Sequence, residues 1–265
     1  TLMCGAPAVA NAIIDASHQF DSGVPGRGTV RMVVAGAPPP SKTIERVETE
    51  LGWQFHQIYG LTETSPVLTI NSPRFETDHL TPAERSVVLS AAGAPTIGTV
   101  IATSDSGEVM ARSNTVMDGY WNQPDATDAA IMDGFFYTGD GGSIGDGHVL
   151  TISDRKKDVI ISGGENVSSI EVEDALFSHP DVTEVAVIGI PDEKWGELVL
   201  ALAVKVPGST LTEDELIAFC RSKIATYKCP KRVEFRAELA RTSTGKLQKF
   251  KLRAPYWDGY TKQVN

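Results

Sequence analysis

An apolar run closed by three consecutive prolines, with a helical pattern directly behind it, constrains the fold of this chain most. Residues 30–35 are mostly apolar and rich in valine, which is typical of a buried strand, and the stretch Gly-Ala-Pro-Pro-Pro ends it. The next segment, residues 41–51, carries apolar side chains on one helical face: Ile44, Val47 and Leu51. Because a strand-like stretch follows at residues 53–58, this order predicts a parallel βαβ unit and an α/β fold.

Residues 98–152 show a different pattern, in which short strands alternate with Gly-rich turns. The clearest predicted strands cover residues 107–112 and 148–152. Between them, residues 125–132 follow a proline and predict a short helix. The pattern indicates a small β-barrel-like region or distorted sheet beside the βαβ layer.

A compact α+β unit is predicted after Arg155. Two capping boxes mark the starts of helices: Ser168 with Glu171, and Thr212 with Glu215. Apolar, β-branched runs at residues 182–190 and 198–206 predict a pair of strands. We therefore place a domain boundary near Lys157, with the C-terminal portion of a large domain over residues 1–156 and a small domain over residues 157–265.

The composition is that of a globular protein. Of the 265 residues, 41% are hydrophobic and 22% are charged, which argues against intrinsic disorder. No apolar run approaches the roughly 18 residues that a membrane span needs. Cys4, Cys220 and Cys229 form an odd, widely spaced set, which favours a reducing compartment over a disulfide framework. We expect a cytoplasmic protein with no transmembrane segment.

Positive charge is concentrated near the end of an otherwise acidic chain. The net charge is −10, yet residues 221–265 hold 12 basic and 3 acidic side chains. Such a basic segment suits a polyanionic ligand such as ATP or coenzyme A, and it equally suits a solvated helical face. Nucleic acid is a poorer match, because no base-stacking aromatic pattern accompanies the charges.

Five short motifs occur in a fixed order: Tyr59-Gly60-Leu61-Thr62-Glu63, Gly119-Tyr120-Trp121, Tyr137-Thr138-Gly139-Asp140, Arg155-Lys156-Lys157-Asp158 and Thr242-Ser243-Thr244-Gly245-Lys246. Together they resemble the adenylate-forming superfamily, which includes the acyl-CoA synthetases, and the resemblance covers nearly the whole chain. The family's Ser/Thr/Gly-rich phosphate loop is not found, so we expect the C-terminal half of a longer enzyme. The parent enzyme most resembles an acyl-CoA synthetase of the fatty-acid type, and residues 157–166 are most similar to short- and medium-chain carboxylate–CoA ligases.

The first motif carries side chains suited to a magnesium nucleotide. Glu63 could bind Mg²⁺, which prefers oxygen ligands and few protein carboxylates. Thr62 could donate its hydroxyl to the α-phosphate, and Tyr59, ahead of Gly60, offers a flat face to adenine. The resemblance implies the same roles, although an ordinary turn would have a similar composition.

Two further segments resemble nucleotide contacts of the family. Gly36-Ala37-Pro38 is similar to the turn whose backbone lies along the adenine and the acyl pocket. Asp140 is similar to the aspartate that accepts hydrogen bonds from both ribose hydroxyls, a task that an ionised carboxylate can perform. Arg155 is similar to a second ribose or phosphate contact. The alternatives are simple turns and a surface arginine.

The resemblance also implies a mobile lid. Lys157 corresponds to the hinge, and Gly163-Gly164 to a glycine pair that lines the tunnel for the pantetheine arm of coenzyme A. Trp195 could border the same tunnel, or it could be a core or sheet-edge tryptophan.

Lys246 is the main catalytic candidate, assisted by Thr62 and Glu63. An ammonium group between a carboxylate and the α-phosphate offsets negative charge as the two approach each other. A Walker A phosphate loop is excluded, because Leu247 follows the lysine where that motif needs Ser or Thr. The five histidines show no HExxH pattern.

The resulting hypothesis is an AMP-forming acid–CoA ligase that uses ATP, Mg²⁺ and coenzyme A. Two alternatives stay open: a fatty-acyl-AMP ligase that loads a carrier protein, and an inactive fragment that binds nucleotide or a partner domain. The expected partners are a small carboxylic acid, ATP and coenzyme A, with a homodimer as an option and no nucleic acid. The length of the acyl chain is not readable from the sequence.

Overall fold

The computed structural model describes residues 1–20, 24–242 and 245–260. The chain divides into two compact units, Thr1–Ser153 and Asp154–Asn265. Each unit is a mixed α/β structure with its own buried hydrophobic clusters. The predicted fold class is confirmed.

The first sheet of the N-terminal unit has five strands in sequence order: β1 (Leu2–Gly5), β2 (Arg31–Val34), β3 (Gln54–Tyr59), β4 (Thr69–Asn71) and β5 (Ala94–Pro95). The first three strands are parallel, and β4 and β5 continue the sheet in antiparallel pairs. The helices of this layer are α1 (Pro7–Ser17), α2 (Ser41–Arg46) and α3 (Pro82–Leu89). The parallel β2–α2–β3 unit confirms the βαβ prediction.

The helix predicted over residues 41–51 changes character half-way. It is α-helical over α2 and then continues as a π-helical turn, Val47–Leu51. The three residues predicted to share a face, Ile44, Val47 and Leu51, are all fully buried. Gly52 follows in the left-handed region at φ +65° and ends the helix.

The second sheet of this unit contains β6 (Val100–Thr103), β7 (Glu108–Arg112), β8 (Ile131–Met132), β9 (Phe135–Ile144) and β10 (Leu150–Arg155). Its strand order is β10-β9-β7-β6, with β8 also paired to β9. Two predicted boundaries were wrong. The helix α4 (Pro124–Ala130) ends before residue 132, because residues 131–132 pair with β9. Strand β10 begins at Leu150, because a short turn with His148 at φ +60° precedes it.

In the residues that the structure describes, the C-terminal unit is a five-stranded sheet with three helices. The strands are β11 (Ile160–Ser162), β12 (Glu165–Val167), β13 (Val182–Asp192), β14 (Gly196–Lys205) and β15 (Arg232–Phe235), in the order β12-β11-β14-β13 with β15 parallel to β14. The helices are α5 (Ser169–Phe177), α6 (Glu213–Arg221) and α7 (Lys249–Trp257). The predicted pairing of residues 182–190 with 198–206 is confirmed by the antiparallel register of β13 and β14.

Both predicted helix starts are found. Thr212 accepts a hydrogen bond from the backbone N–H of Glu215 at 3.4 Å, and the Glu215 carboxylate accepts one from the Thr212 N–H at 2.9 Å. The Ser168 hydroxyl accepts from the Glu171 N–H at 3.3 Å, while the Glu171 carboxylate pairs with Lys228 at 2.7 Å. None of the helices in the described part of the chain is long and apolar enough to cross a membrane.

Candidate active site

Two predicted segments lie at one edge of the first sheet. Gly36 comes two residues after β2 ends, and Tyr59 is the last residue of β3. Because the two strands are parallel, with Val34 opposite Gln57, their carboxyl ends point to the same side. This is the edge at which open α/β sheets bind ligands.

Gly60 makes the turn after β3 possible. A Cβ atom at this position would lie 1.5 Å from the carbonyl oxygen of Pro66, so a larger residue cannot be accommodated without moving the backbone. The Leu61 N–H donates to Oγ1 of Thr64 at 2.9 Å and closes the turn. This geometry leaves Thr62 exposed and Glu63 half-buried.

Glu63 is held by the second motif. The Tyr120 hydroxyl donates to Oε1 of Glu63 at 3.1 Å, and the Met117 N–H donates to the Glu63 carbonyl at 2.8 Å. Burial raises the pKa of Tyr120, and the hydrogen bond and charge of Glu63 raise it further, so the phenol stays a donor. The Gly-Tyr-Trp motif had no assigned role in the sequence, and its tyrosine proves to be a partner of Glu63.

Asp140 meets Tyr59 across two sheets. The Tyr59 hydroxyl, at the end of β3, donates to Oδ2 of Asp140 in β9 at 2.9 Å. Asp140 is 6% exposed. The structure therefore joins the first and third motifs, which the sequence separates widely, into one group.

A cavity of about 490 Å³ opens beside Glu63 and the segment that precedes Asp140. Three motifs line it, through Leu61 and Glu63, Tyr120, and the segment Tyr137, Thr138 and Gly139. The small side chains of Ala126 and Ala129 in α4 also line it. Glu108, which the sequence did not single out, also lines it.

In the C-terminal unit, the glycine pair forms the turn of a hairpin. Ser162 pairs with Glu165, and Gly163 and Gly164 between them have φ values of +64° and +85°, which favour glycine at both positions. The Gly163 N–H donates to the Trp195 carbonyl at 2.8 Å, and a Cβ atom on Gly163 would lie 2.7 Å from the indole ring. Trp195 is 41% exposed, so it is not a core tryptophan.

The predicted hinge segment is bound by the last helix. Lys157 is exposed, and its carbonyl accepts a hydrogen bond from Arg253 at 3.0 Å. The same guanidinium contacts the Asp158 carboxylate at 3.3 Å. Arg155, the last residue of β10, is half-buried.

Two hydrogen bonds between Lys246 and Thr242 form the base of the lysine motif. The Thr242 N–H donates to the Lys246 carbonyl at 2.8 Å, and the Lys246 N–H donates to Oγ1 of Thr242 at 3.1 Å. Arg241 supports this base: its guanidinium contacts the Glu184 carboxylate at 2.6 Å and donates to the Gly245 carbonyl at 2.7 Å. The Lys246 residue is exposed, and Ser243 and Thr244 of the same motif lie outside the described residues.

A buried ionic cluster near the start of this unit was missed by sequence reasoning. Lys249 of α7 contacts the Glu173 carboxylate at 2.7 Å and the Ser169 hydroxyl. The Ser169 N–H in turn donates to Asp154 at 2.6 Å. Burial lowers the pKa of Lys249, but the charges of Glu173 and Asp154 outweigh it and the net shift is upward. No local spacing signals this cluster, because its members are far apart in the sequence.

Two family models match the chain. The model described as AMP-binding enzyme matches residues 1–121, and the model described as AMP-binding enzyme C-terminal domain matches residues 171–246. The chain belongs to the AMP-binding enzymes. The resemblance to the adenylate-forming superfamily is thereby confirmed.

Similar proteins include CoA ligases and acyl-activating enzymes. A 2-methylpropanoate–CoA ligase of Humulus lupulus is 44% identical over 96% of this chain and 48% of its own length. A probable peroxisomal acyl-activating enzyme of Arabidopsis thaliana is 40% identical over 96% of this chain and 48% of its length. ATP-bound MatB of Rhodopseudomonas palustris has a TM-score of 0.83 and 29% identity, covering 97% of this chain and 51% of that structure. This AMP-binding enzyme chain thus spans about half the length of the relatives it matches.

The donor set of this AMP-binding enzyme fits a magnesium ion shared with a ligand. Among the described residues, no group of three or more His, Cys, Asp and Glu side chains is placed to hold a metal. Glu63 supplies one carboxylate beside the cavity. Mg²⁺ is commonly bound by one or two carboxylates together with substrate phosphates, so Glu63 is compatible with it.

Proposed function

We propose that this chain takes part in the AMP-forming ligation of a carboxylic acid to coenzyme A. In the first step a carboxylate oxygen attacks the α-phosphorus of ATP, and pyrophosphate leaves. In the second step the thiolate of coenzyme A attacks the acyl carbon, and AMP leaves. The observation that carries the proposal is the 2.9 Å contact between Tyr59 and Asp140, which sets an aromatic face beside a buried carboxylate at the ligand-binding edge of the sheet.

The N-terminal unit supplies the proposed nucleotide contacts. The ring of Tyr59 stacks on adenine beside Gly36, Ala37 and Pro38, and the Asp140 carboxylate accepts both ribose hydroxyls. Thr62, which is exposed in the turn after Gly60, donates its hydroxyl to the α-phosphate. Glu63 would hold Mg²⁺, which supplies positive charge to the phosphates when bound.

The C-terminal unit supplies the proposed mobile groups. Lys246 contributes an exposed ammonium for the approach of carboxylate to phosphate. Arg155, which lies just before the proposed hinge, adds a ribose or phosphate contact. Gly163, Gly164 and Trp195 would border the pantetheine arm of coenzyme A. We assign the hinge to Lys157, between a large-domain portion over residues 1–156 and a lid over residues 157–265. We also propose that the protein acts in the cytoplasm, on small molecules, with a homodimer as one form to be tested.

Mass spectrometry of one reaction tests this function. The chain is incubated with ATP, Mg²⁺, coenzyme A and a series of carboxylic acids, alongside the Lys246→Ala variant. We expect the natural chain to form acyl-CoA and AMP. The rate of product formation should be lower by on the order of 100-fold or more in Lys246→Ala. Acyl-AMP without thioester would favour the ligase that loads a carrier protein. ATP binding without any adenylate would overturn catalysis by this chain and favour a nucleotide-binding fragment.

A further inference from the structure

We propose that Glu108 is a positioning residue that sets the direction of Asp140. The proposed function supplies the role of Asp140 as the ribose acceptor, whereas the position of Asp140 follows from the structure alone. Glu108 is the first residue of β7 and lines the same cavity as Glu63. It acts through the backbone of Gly139.

The strand that carries Asp140 bulges at this point. Glu108 lies opposite Gly141, and Met110 lies opposite Tyr137. The single residue Val109 of β7 therefore faces three residues of β9, namely Thr138, Gly139 and Asp140. Such a bulge interrupts the ladder of backbone hydrogen bonds and turns a side chain to a new direction.

Side chains take over the hydrogen bonds that the ladder no longer makes. The Gly139 N–H donates to Oε1 of Glu108 at 2.9 Å. The Thr138 hydroxyl donates to the Val109 carbonyl at 2.8 Å and accepts from the Asp140 N–H at 3.2 Å. Gly139 lies in the left-handed region at φ +73°, which favours glycine. The conformation of the bulge is therefore held by the hydrogen bonds that Gly139 makes to Glu108 and that Asp140 makes to Thr138.

The consequence is the placement of a buried carboxylate. Asp140, the last residue of the bulge, is 6% exposed, and its carboxylate accepts a hydrogen bond from the Tyr59 hydroxyl at 2.9 Å. An ionised acceptor forms a stronger hydrogen bond to a backbone N–H than a neutral one does. Without the Glu108 carboxylate, the Gly139 N–H loses this partner and the conformation that directs Asp140 loses a support.

Amide hydrogen exchange in the nucleotide-free protein tests the position directly. We expect the Gly139 amide to exchange at least about tenfold faster in Glu108→Ala than in the natural protein, because a hydrogen bond to a charged acceptor is lost. Glu108→Gln keeps an acceptor oxygen and should stay within about threefold of the natural rate. Glu108→Asp keeps the charge but shortens the side chain, so it should resemble Glu108→Ala and replaces it if that variant does not fold. Unchanged exchange in the Ala and Asp variants would overturn the proposal.

Ribose discrimination tests the consequence. The ratio of kcat/KM for ATP to that for 2′-deoxy-ATP should fall about tenfold in Glu108→Ala and Glu108→Asp and be retained in Glu108→Gln. A purely structural role would lower both values equally and leave the ratio unchanged, which would overturn the proposal. If the natural protein shows no ATP-dependent reaction, the proposed function fails, while the exchange experiment still decides the role of Glu108.

Discussion

The Tyr59 hydroxyl lies 2.9 Å from Oδ2 of Asp140 and connects the last residue of a parallel strand to the bulge of a strand in the second sheet. One residue brings a flat aromatic face and the other a buried negative charge. The recognition of a nucleoside would depend on both residues together.

Asp140→Ala should lower kcat/KM for ATP by about 10- to 100-fold, because hydrogen bonds to a charged group contribute about 1.5–3 kcal/mol. Tyr59→Phe keeps the ring and removes only its hydroxyl, so a loss of about tenfold or less is expected. Steady-state rates of AMP formation measure both. An Asp140→Ala enzyme with the natural ATP dependence would rule out the ribose contact.

Glu63→Gln should raise the Mg²⁺ concentration needed for half-maximal activity by about tenfold, because a neutral amide is a weaker ligand for a hard cation than a carboxylate. Tyr120→Phe removes the hydroxyl that contacts Glu63 and leaves the carboxylate in place. Its Mg²⁺ dependence should change less than that of Glu63→Gln, which makes it the matched control. Identical Mg²⁺ titrations for Glu63→Gln and the natural protein would exclude Glu63 as a ligand.

Lys249→Met should destabilise the C-terminal unit by about 3–5 kcal/mol, because it leaves the Glu173 carboxylate buried without its partner. Burial already raises the pKa of Glu173. The double variant Lys249→Met/Glu173→Gln should recover part of the loss, since the buried charge of Glu173 is removed as well. Urea unfolding measures all three proteins, with exposed Lys251→Met as a control. If Lys249→Met matches that control, the cluster contributes little to stability.

His56 should make the stability of the N-terminal unit depend on pH. Burial lowers the pKa of His56, and the charge of Arg31 lowers it further. The unfolded chain therefore binds a proton at a higher pH than the folded chain does, and the free energy of unfolding falls as the pH drops below about 6.5. His56→Gln should flatten this part of the pH profile. Denaturant titrations between pH 7 and 5 measure this dependence of the free energy of unfolding. Parallel profiles for His56→Gln and the natural protein would refute the role of His56.

Local patterns predicted most of the fold. The valine-rich run before the prolines gave β2, and the Thr212 capping box marked the start of α6, because both signals depend on neighbouring residues. The π-helical turn at Val47–Leu51 was not predictable in the same way, since its hydrophobic spacing also fits an α-helix.

The site was predicted residue by residue but not as an arrangement. The motif order supplied Tyr59 and Asp140, while their hydrogen bond depends on how two sheets pack. Glu108 escaped notice because its role comes from a bulge, which is a property of strand register and not of a motif. The Lys249–Glu173 pair was missed for the same reason, as its members meet only after the strands and helices have packed.

The exchange of labelled pyrophosphate into ATP tests the proposed adenylation most directly, because it requires the reversible formation of acyl-AMP from ATP and the acid and needs no coenzyme A. The measurement compares the natural chain, Lys246→Ala and the exposed-lysine control Lys251→Ala, each with and without a carboxylic acid. We predict exchange that depends on the acid, is retained in Lys251→Ala and falls by on the order of 100-fold or more in Lys246→Ala. Exchange that is independent of the acid, or that persists unchanged in Lys246→Ala, would contradict adenylation with Lys246 as its catalytic residue.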